Sequence, residues 1–336
     1  MAQLVKLQDY ISRYQIDLAR YPTQFIRLKK GQWDRVKQQW QTGEVIQQWE
    51  HIEDNLDEDE KKPSLFKRLF ARKKLEVEQF EEDIENVDPS SEVMDHTAAF
   101  IEDDSTLIFE PNLVYQPKTI EELKKMYIDQ FFHFQMKWAS STLREKSYVD
   151  PKYMRDTLLR SFLQTLPDNY LIFYYPILRL KKAPIELDII IMTPTECICV
   201  TVLEQEEQAV YVGSSERFWM KKVGKLDKKV LNPMIQLSRM ETILTKLFAA
   251  EQIELPIRKV LLTRNGYIDY PGSAYGVQFV DKRKFPEWMT MMKRTASPMK
   301  HMQIRAAQVV LNNVQTTSFQ RDMWSAPEQP QEETEK

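Results

Sequence analysis

Glycine, cysteine and histidine are all scarce in this chain, with 7, 2 and 4 copies in 336 residues. Phosphate-cradling loops need several glycines within a few positions. Neither G-x-G-x-x-G nor G-x-x-x-x-G-K occurs, which excludes the common nucleotide-binding enzymes and any nucleotide cofactor held that way. Cys197 and Cys199 stand two residues apart and cannot build a disulfide framework or a four-ligand zinc site, so a reducing compartment is expected. His51, His96, His133 and His301 are scattered without ligand spacing. The chain also lacks a run of about 18 apolar residues, and its start, MAQLVKLQDY, has no apolar h-region. A cytoplasmic protein with no transmembrane segment is expected.

Charge is present in abundance and is unevenly placed. The 47 Lys+Arg and 50 Asp+Glu leave a net charge of only −3. Residues 51–105 carry 18 acidic and 7 basic side chains, and the tail 325–336 carries 4 Glu and 1 Lys, so the remaining body stands at +11. Both acidic stretches read as disordered, because like charge and few β-branched residues cannot support a core. Within the first, PSLFKRLFARKK places Leu65, Phe66, Leu69 and Phe70 on one helical face and cations on the other. Such a turn suits docking to a protein partner or to anionic lipid, or it is a merely solvated segment.

Periodicity divides the rest. Leu4, Leu7, Ile11, Tyr14 and Leu18 recur at spacings of 3 and 4, predicting a helix, and Trp33, Val36 and Trp40 predict a second. Thr119 with Glu122 opens a long helix through Trp138, and another runs through Leu158–Leu166. Short apolar runs at 170–175, 187–192, 197–203, 209–212, 259–263 and 276–280 read as strands, with a helix over about 232–250 between them and one over about 299–314 after them. The order predicts a single mixed α/β sheet flanked by helices. The expected layout is an N-terminal helical region at 1–50, the acidic linker at 51–105, a connecting helix at 106–150, an α/β domain at 151–290, a C-terminal helix at 291–324 and the acidic tail at 325–336.

The informative stretch is Glu186-Leu-Asp188-Ile-Ile-Ile-Met-Thr193-Pro194, a turn, then Cys197-Ile-Cys199-Val-Thr201-Val-Leu203-Glu204. A carboxylate entering a buried apolar strand needs a partner. Glu186 and Asp188 are two apart in a strand-like run, so both are expected on one side, where paired acids suit a hard cation such as Mg²⁺. Simple hydrogen-bonded strand caps are the other reading. Cys197 and Cys199 read as small core residues. Basic clusters at Lys181-Lys182 and at Lys221, Lys222, Lys225, Lys228 and Lys229 flank this stretch, as nucleic-acid contacts or as a solvated face.

Together with Asp156, the L-P-D-N-Y turn at 166–170, Phe218-Trp219, and Asn232-Pro233 with Gln236, the stretch resembles the nuclease-related domain, NERD, a branch of the PD-(D/E)XK nuclease fold. The resemblance runs from about Tyr153 to Trp288. It implies a restriction-endonuclease-like mixed sheet, catalytic and metal-binding roles for Asp188, Glu186 and Asp156, Mg²⁺ as cofactor, DNA or RNA as partner, and motif-structural roles for Trp219, Asn232, Pro233 and Gln236. The family's second strand usually supplies Glu and Lys two residues apart for metal binding and water activation. Here those positions fall on Thr201 and Leu203, so the resemblance implies a degenerate nuclease that binds or helps process nucleic acid. Two alternatives stay open: a non-enzymatic scaffold docking partners through its N-terminal helices and the LFKRLF segment, and an active Mg²⁺-dependent phosphodiesterase with a migrated lysine such as Lys225, Lys228 or Lys229.

The charge distribution carries its own test. If the acidic linker competes for the basic body, deleting residues 53–105 strengthens salt-sensitive DNA or RNA binding in a titration at several ionic strengths. Unchanged affinity would rule out masking.

Overall fold

The computed structural model describes residues 1–42, 117–180, 183–204, 206–272, 276–294 and 297–320. The described residues fall within one compact unit; the second, Ile46–Ile108 with Asn112–Val114, lies outside the described residues, as do the LFKRLF segment and the acidic tail.

The strands in chain order are β1 (Gln3–Leu7), β2 (Glu145–Lys146), β3 (Leu171–Tyr174), β4 (Ile177–Leu180), β5 (Ala183–Glu186), β6 (Ile189–Met192), β7 (Cys197–Val202), β8 (Val210–Val212), β9 (Phe218–Val223), β10 (Leu226–Leu231), β11 (Ile257–Leu262), β12 (Tyr267–Asp269), β13 (Val277–Val280) and β14 (Phe319–Gln320). The helices are α1 (Tyr21–Thr42), α2 (Ile120–Trp138), α3 (Pro151–Met154), α4 (Thr157–Thr165), α5 (Pro233–Ala250), α6 (Phe285–Lys293) and α7 (His301–Asn312).

A six-stranded sheet in the order β1-β3-β6-β7-β11-β13 forms the centre. It is mixed: β1 runs parallel to β3, β6 is antiparallel to both neighbours, and β7, β11 and β13 are mutually parallel. Its central strands are buried on both faces, which is why they read as continuous apolar runs. Ile189, Ile191, Ile198, Val200, Val260 and Leu262 face a core containing Phe132, Phe162 and Trp288 from α2, α4 and α6. Helix α5 packs on β7 and β11 with Leu237, Met240, Leu244 and Phe248 buried. Cys197 and Cys199 are free and wholly buried, as core residues.

Two expectations need correction. Residues 4–18 are not a helix. Gln3–Leu7 is a fully buried strand, followed by a single 3-10 turn at Arg13–Gln15. Leu4 and Leu7 suit a helical stripe and a two-faced strand equally well over so short a run. The strand is secured by α2: Gln135 donates from Nε2 to the Ala2 carbonyl at 2.8 Å and accepts from the Leu4 amide at 3.0 Å. The second stripe does lie on one helix, α1, where Val36 is buried and Trp33 packs against Tyr127 of α2 at 5.3 Å between ring centroids.

Nor is there one sheet. Beside the six-stranded sheet, the described residues form a four-stranded one in the order β10-β9-β8-β12 and two short pairs, β4-β5 and β2-β14. Strand 209–212 belongs to the four-stranded sheet; β9 and β10 were not legible as strands because an adjacent pair of lysines interrupts each, and β12 because it is only three residues long. Trp219 and Tyr270 close over Gly213, where a Cβ would stand 2.9 and 2.4 Å from their rings.

Lys6 lies buried in β1 and donates to the Tyr10 carbonyl at 2.6 Å and to Gln15 Oε1 and Thr316 Oγ1 at 3.0 Å. Burial, opposed by the weaker attraction of Asp9, pulls its pKa from 10.5 down to about 7. Above that pH the folded chain has released a proton that the unfolded chain still holds, so stability rises with pH up to the unfolded value. Tyr14 and Tyr174, pushed up by burial, act with the opposite sign only from about pH 10. The unfolding free energy from urea titrations should therefore climb between pH 7 and 9, by at most about 1.4 kcal/mol per pH unit, and Lys6→Met should flatten that climb.

Candidate functional site

The site forms where the β4-β5 hairpin returns to the central sheet. Strand β5 ends at Glu186, the Leu187 amide donates to the Pro176 carbonyl at 3.0 Å, and Asp188 then precedes β6. Thr201 on the neighbouring β7 donates from Oγ1 to Asp188 Oδ2 at 2.5 Å, and the Gln236 side chain reaches the same carboxylate from the first turn of α5. Burial raises the pKa of Asp188, and Glu186 raises it further, while the bonds from Thr201 and Gln236 pull it down. No cation is among the groups that act on it.

Asp156 arrives from another direction. It caps α4, its Oδ1 accepting from the Leu158 and Leu159 amides at 2.9 and 3.0 Å, and its Oδ2 accepts from the Tyr174 hydroxyl at 2.6 Å. Tyr175 follows in the left-handed region, with φ of 49°. Its phenol is held protonated by burial and then by Asp188, Asp156, Glu204 and Glu186, so this ring sits amid four carboxylates. Strained backbone at a non-glycine residue recurs at functional sites. An open cleft of about 420 Å³ is lined by Gln8, Lys152, Tyr153, Asp156, Tyr175 and Glu186.

Asp188, Thr201 and Gln236 are thus joined, and Asp156 and Glu186 share the cleft beside them. Glu186 and Asp188 do not stand on one strand: Glu186 is the exposed end of β5, and Asp188 follows buried Leu187 just before β6. Leu203 lies half-buried just past β7, its amide donating to the Leu262 carbonyl at 2.8 Å. The pairing of β7 with β11 is regular from Cys197 to Val202, and Arg264 then grips Glu204 through Nε and a terminal nitrogen, both at 2.6 Å.

Lysines predicted to line the site divide. Lys221 is buried and 3.2 Å from Glu206; Lys228 is exposed and 3.5 Å from the same oxygen. Lys222, Lys225 and Lys229 are exposed on the β9–β10 hairpin, and Lys181 and Lys182 lie outside the described residues. Asn232 caps α5 and donates to the Glu216 carbonyl at 2.7 Å, while Trp219 Nε1 donates to the Ser214 carbonyl at 2.9 Å. Pro233 occupies the first turn of α5, where its missing N–H costs nothing. The two described histidines, His133 and His301, lie on α2 and at the start of α7 and do not line the cleft. Tyr174, Tyr175 and Arg264 had no signal in the sequence, since nothing local distinguishes a tyrosine or arginine that meets a carboxylate only after folding.

Asp188 with Thr201 and Gln236 is a poor donor set for a catalytic Mg²⁺, whose ligands are chiefly carboxylates and water. Among the described residues no group of three or more His, Cys, Asp or Glu could hold a metal ion. No described helix is long and apolar enough to cross a membrane.

Residues 153–263 match the family described as the nuclease-related domain, so a nuclease-related domain spans α3 to the end of β11 and contains Asp156, Glu186, Asp188 and Gln236. The chain is also similar to an RNA 2',3'-cyclic phosphodiesterase of Geobacillus stearothermophilus, 39% identical over 80 residues, or 21% of this chain. It spans about a quarter of that relative's length, 23%. No solved structure matches the chain.

A raised carboxyl pKa is a stability cost at neutral pH. The folded chain binds a proton more tightly than the unfolded one, so this contribution falls as pH rises from 3.8 through the folded value. Asp188→Asn keeps an acceptor for Thr201 and removes the charge. It should melt above the wild type at pH 7, with the difference closing near pH 4. Equal melting temperatures at both pH values would contradict the burial of a charged Asp188.

Proposed function

We propose that this protein is a degenerate nuclease of the PD-(D/E)XK type that binds nucleic acid without hydrolysing it. The observation that carries this is the hydrogen bond from Thr201 to Asp188: the position that would hold a second carboxylate holds a hydroxyl, and it is spent on the first. The match of residues 153–263 to the nuclease-related domain supports the reading. So does the mixed sheet, with β6 and β7 antiparallel and Asp188 and Thr201 at adjacent positions. Leu203 supplies no cation for water activation, and no described lysine, Lys152 of the cleft included, is among the groups that act on Asp188.

Within this reading, Asp188, Glu186 and Asp156 shape a cleft rather than run a reaction. Phosphate binding falls to the exposed lysines, whose contacts release counterions and weaken as salt rises. The similarity to a protein named RNA 2',3'-cyclic phosphodiesterase favours a second reading, phosphodiester hydrolysis at the same cleft. Any such activity would need Mg²⁺ ligands from outside Asp188 and its partners.

One assay separates the two readings: cleavage of single- and double-stranded DNA and RNA with Mg²⁺ or Mn²⁺, beside Asp188→Ala. The expected outcome is no cleavage by either protein and salt-sensitive binding by both. Cleavage by the wild type that Asp188→Ala abolishes would establish an active enzyme; cleavage that survives the substitution would place the chemistry elsewhere.

A further inference from the structure

The β9–β10 hairpin is unusual for its uncovered apolar side chains. Four of the nine exposed large hydrophobic residues among those described fall within residues 218–235: Phe218 (48% exposed), Leu226 (63%), Leu231 (55%) and Ile235. Such a concentration marks a contact surface rather than scatter. Residues 216–231 also carry six cations and two acids in a chain whose total is −3. Strand β10 is the edge of its sheet among the described residues.

Pairing and alternation place these residues. Trp219 is buried and pairs with Val230, so the opposite face carries the rows Phe218–Leu231, Met220–Lys229 and Lys222–Asp227. Lys225 stands at the turn beside Gly224, whose φ is +58°. The Arg217 guanidinium lies over the Phe218 ring, 5.7 Å from its centroid. Rows are about 7 Å apart, close to the repeat of an extended single strand. An aromatic platform edged by a guanidinium at one end, with ammonium groups at the middle and tip, is the arrangement on which unpaired bases stack while the backbone is neutralised.

We infer that the outer face of the β9–β10 hairpin takes single-stranded nucleic acid, with a base on Phe218 and phosphates on Lys222, Lys225 and Lys229. This face leads into the candidate site along the chain, since Leu231 runs through the Asn232 cap into α5, whose Gln236 holds Asp188. It therefore rests on the reading of the protein as a nucleic-acid binder and names the strand form and the groups that receive it. Lys221 is assigned no part, being turned inward to Glu206. An acidic protein segment is the competing occupant; Phe218 argues for bases, since an acidic chain would use the cations and leave the ring unstacked.

The test uses the full chain and fluorescein-labelled 20-nucleotide oligo-dT and oligo-U, each beside a duplex of equal length and with poly-glutamate as competitor. Phe218→Ala, at an exposed position, should weaken single-strand binding about tenfold and leave the salt dependence unchanged. Lys222→Gln with Lys229→Gln should lower the salt slope by about 1.4 with the ring intact. The inference is overturned if Phe218→Ala binds as the wild type does, if duplex is bound as tightly as single strand, or if poly-glutamate displaces the oligonucleotide at equal charge concentration. In the first two cases nucleic-acid binding as such still stands. Absence of binding to any nucleic acid would remove that broader reading as well.

Discussion

A single carboxylate, withdrawn from water at the entrance to β6 and held there by a hydroxyl and an amide, is the constraint on which the candidate site depends. Asp188 joins three elements distant in sequence: the end of the β4-β5 hairpin, strand β7 through Thr201, and helix α5 through Gln236. An ionised group in that position is tolerable only while both donors stay in place. The arrangement lies within the nuclease-related domain.

The frame is rigid because its sheet is covered on both faces. The α2, α4 and α6 side chains bury one face, and α5 packs on β7 and β11 across the other. Two buried glutamines bond its backbone. Gln135 satisfies the backbone at β1, and Gln303 donates to the carbonyls of Asn169 and Met192 at 2.6 and 2.9 Å. The four-stranded sheet is built differently: Trp219 anchors its inner side, while β10 stays almost wholly exposed. Rigidity therefore surrounds Asp188, and the exposed cationic and apolar surface lies on the hairpin leading into α5.

Much of this was legible beforehand, for identifiable reasons. The buried strands β3, β6, β7 and β11 appear as short apolar runs, and α2 and α5 as stripes bounded by the capping residues Thr119 and Asn232. Asp188 stood out because a carboxylate at the mouth of such a run needs an explanation. Strand β1 was misread because five residues cannot separate a stripe from a strand buried on both faces. The hairpin strands β9 and β10 were read only as a cluster of lysines.

The sequence by itself determined the apolar strands, the capped helices, the scarcity of glycine that excludes phosphate-cradling loops, and the placing of a threonine and a leucine at 201 and 203. These are properties of residue type and local spacing, and they survive any arrangement of the chain. Only the tertiary structure decided that Thr201 donates to Asp188, that Glu204 belongs to Arg264, that Tyr175 lies among four carboxylates and that Lys221 turns inward while Lys222 and Lys229 do not. Each of these depends on which strands and helices become neighbours, and hydrogen bonds and charge interactions act over a few ångströms of space whatever the separation along the chain.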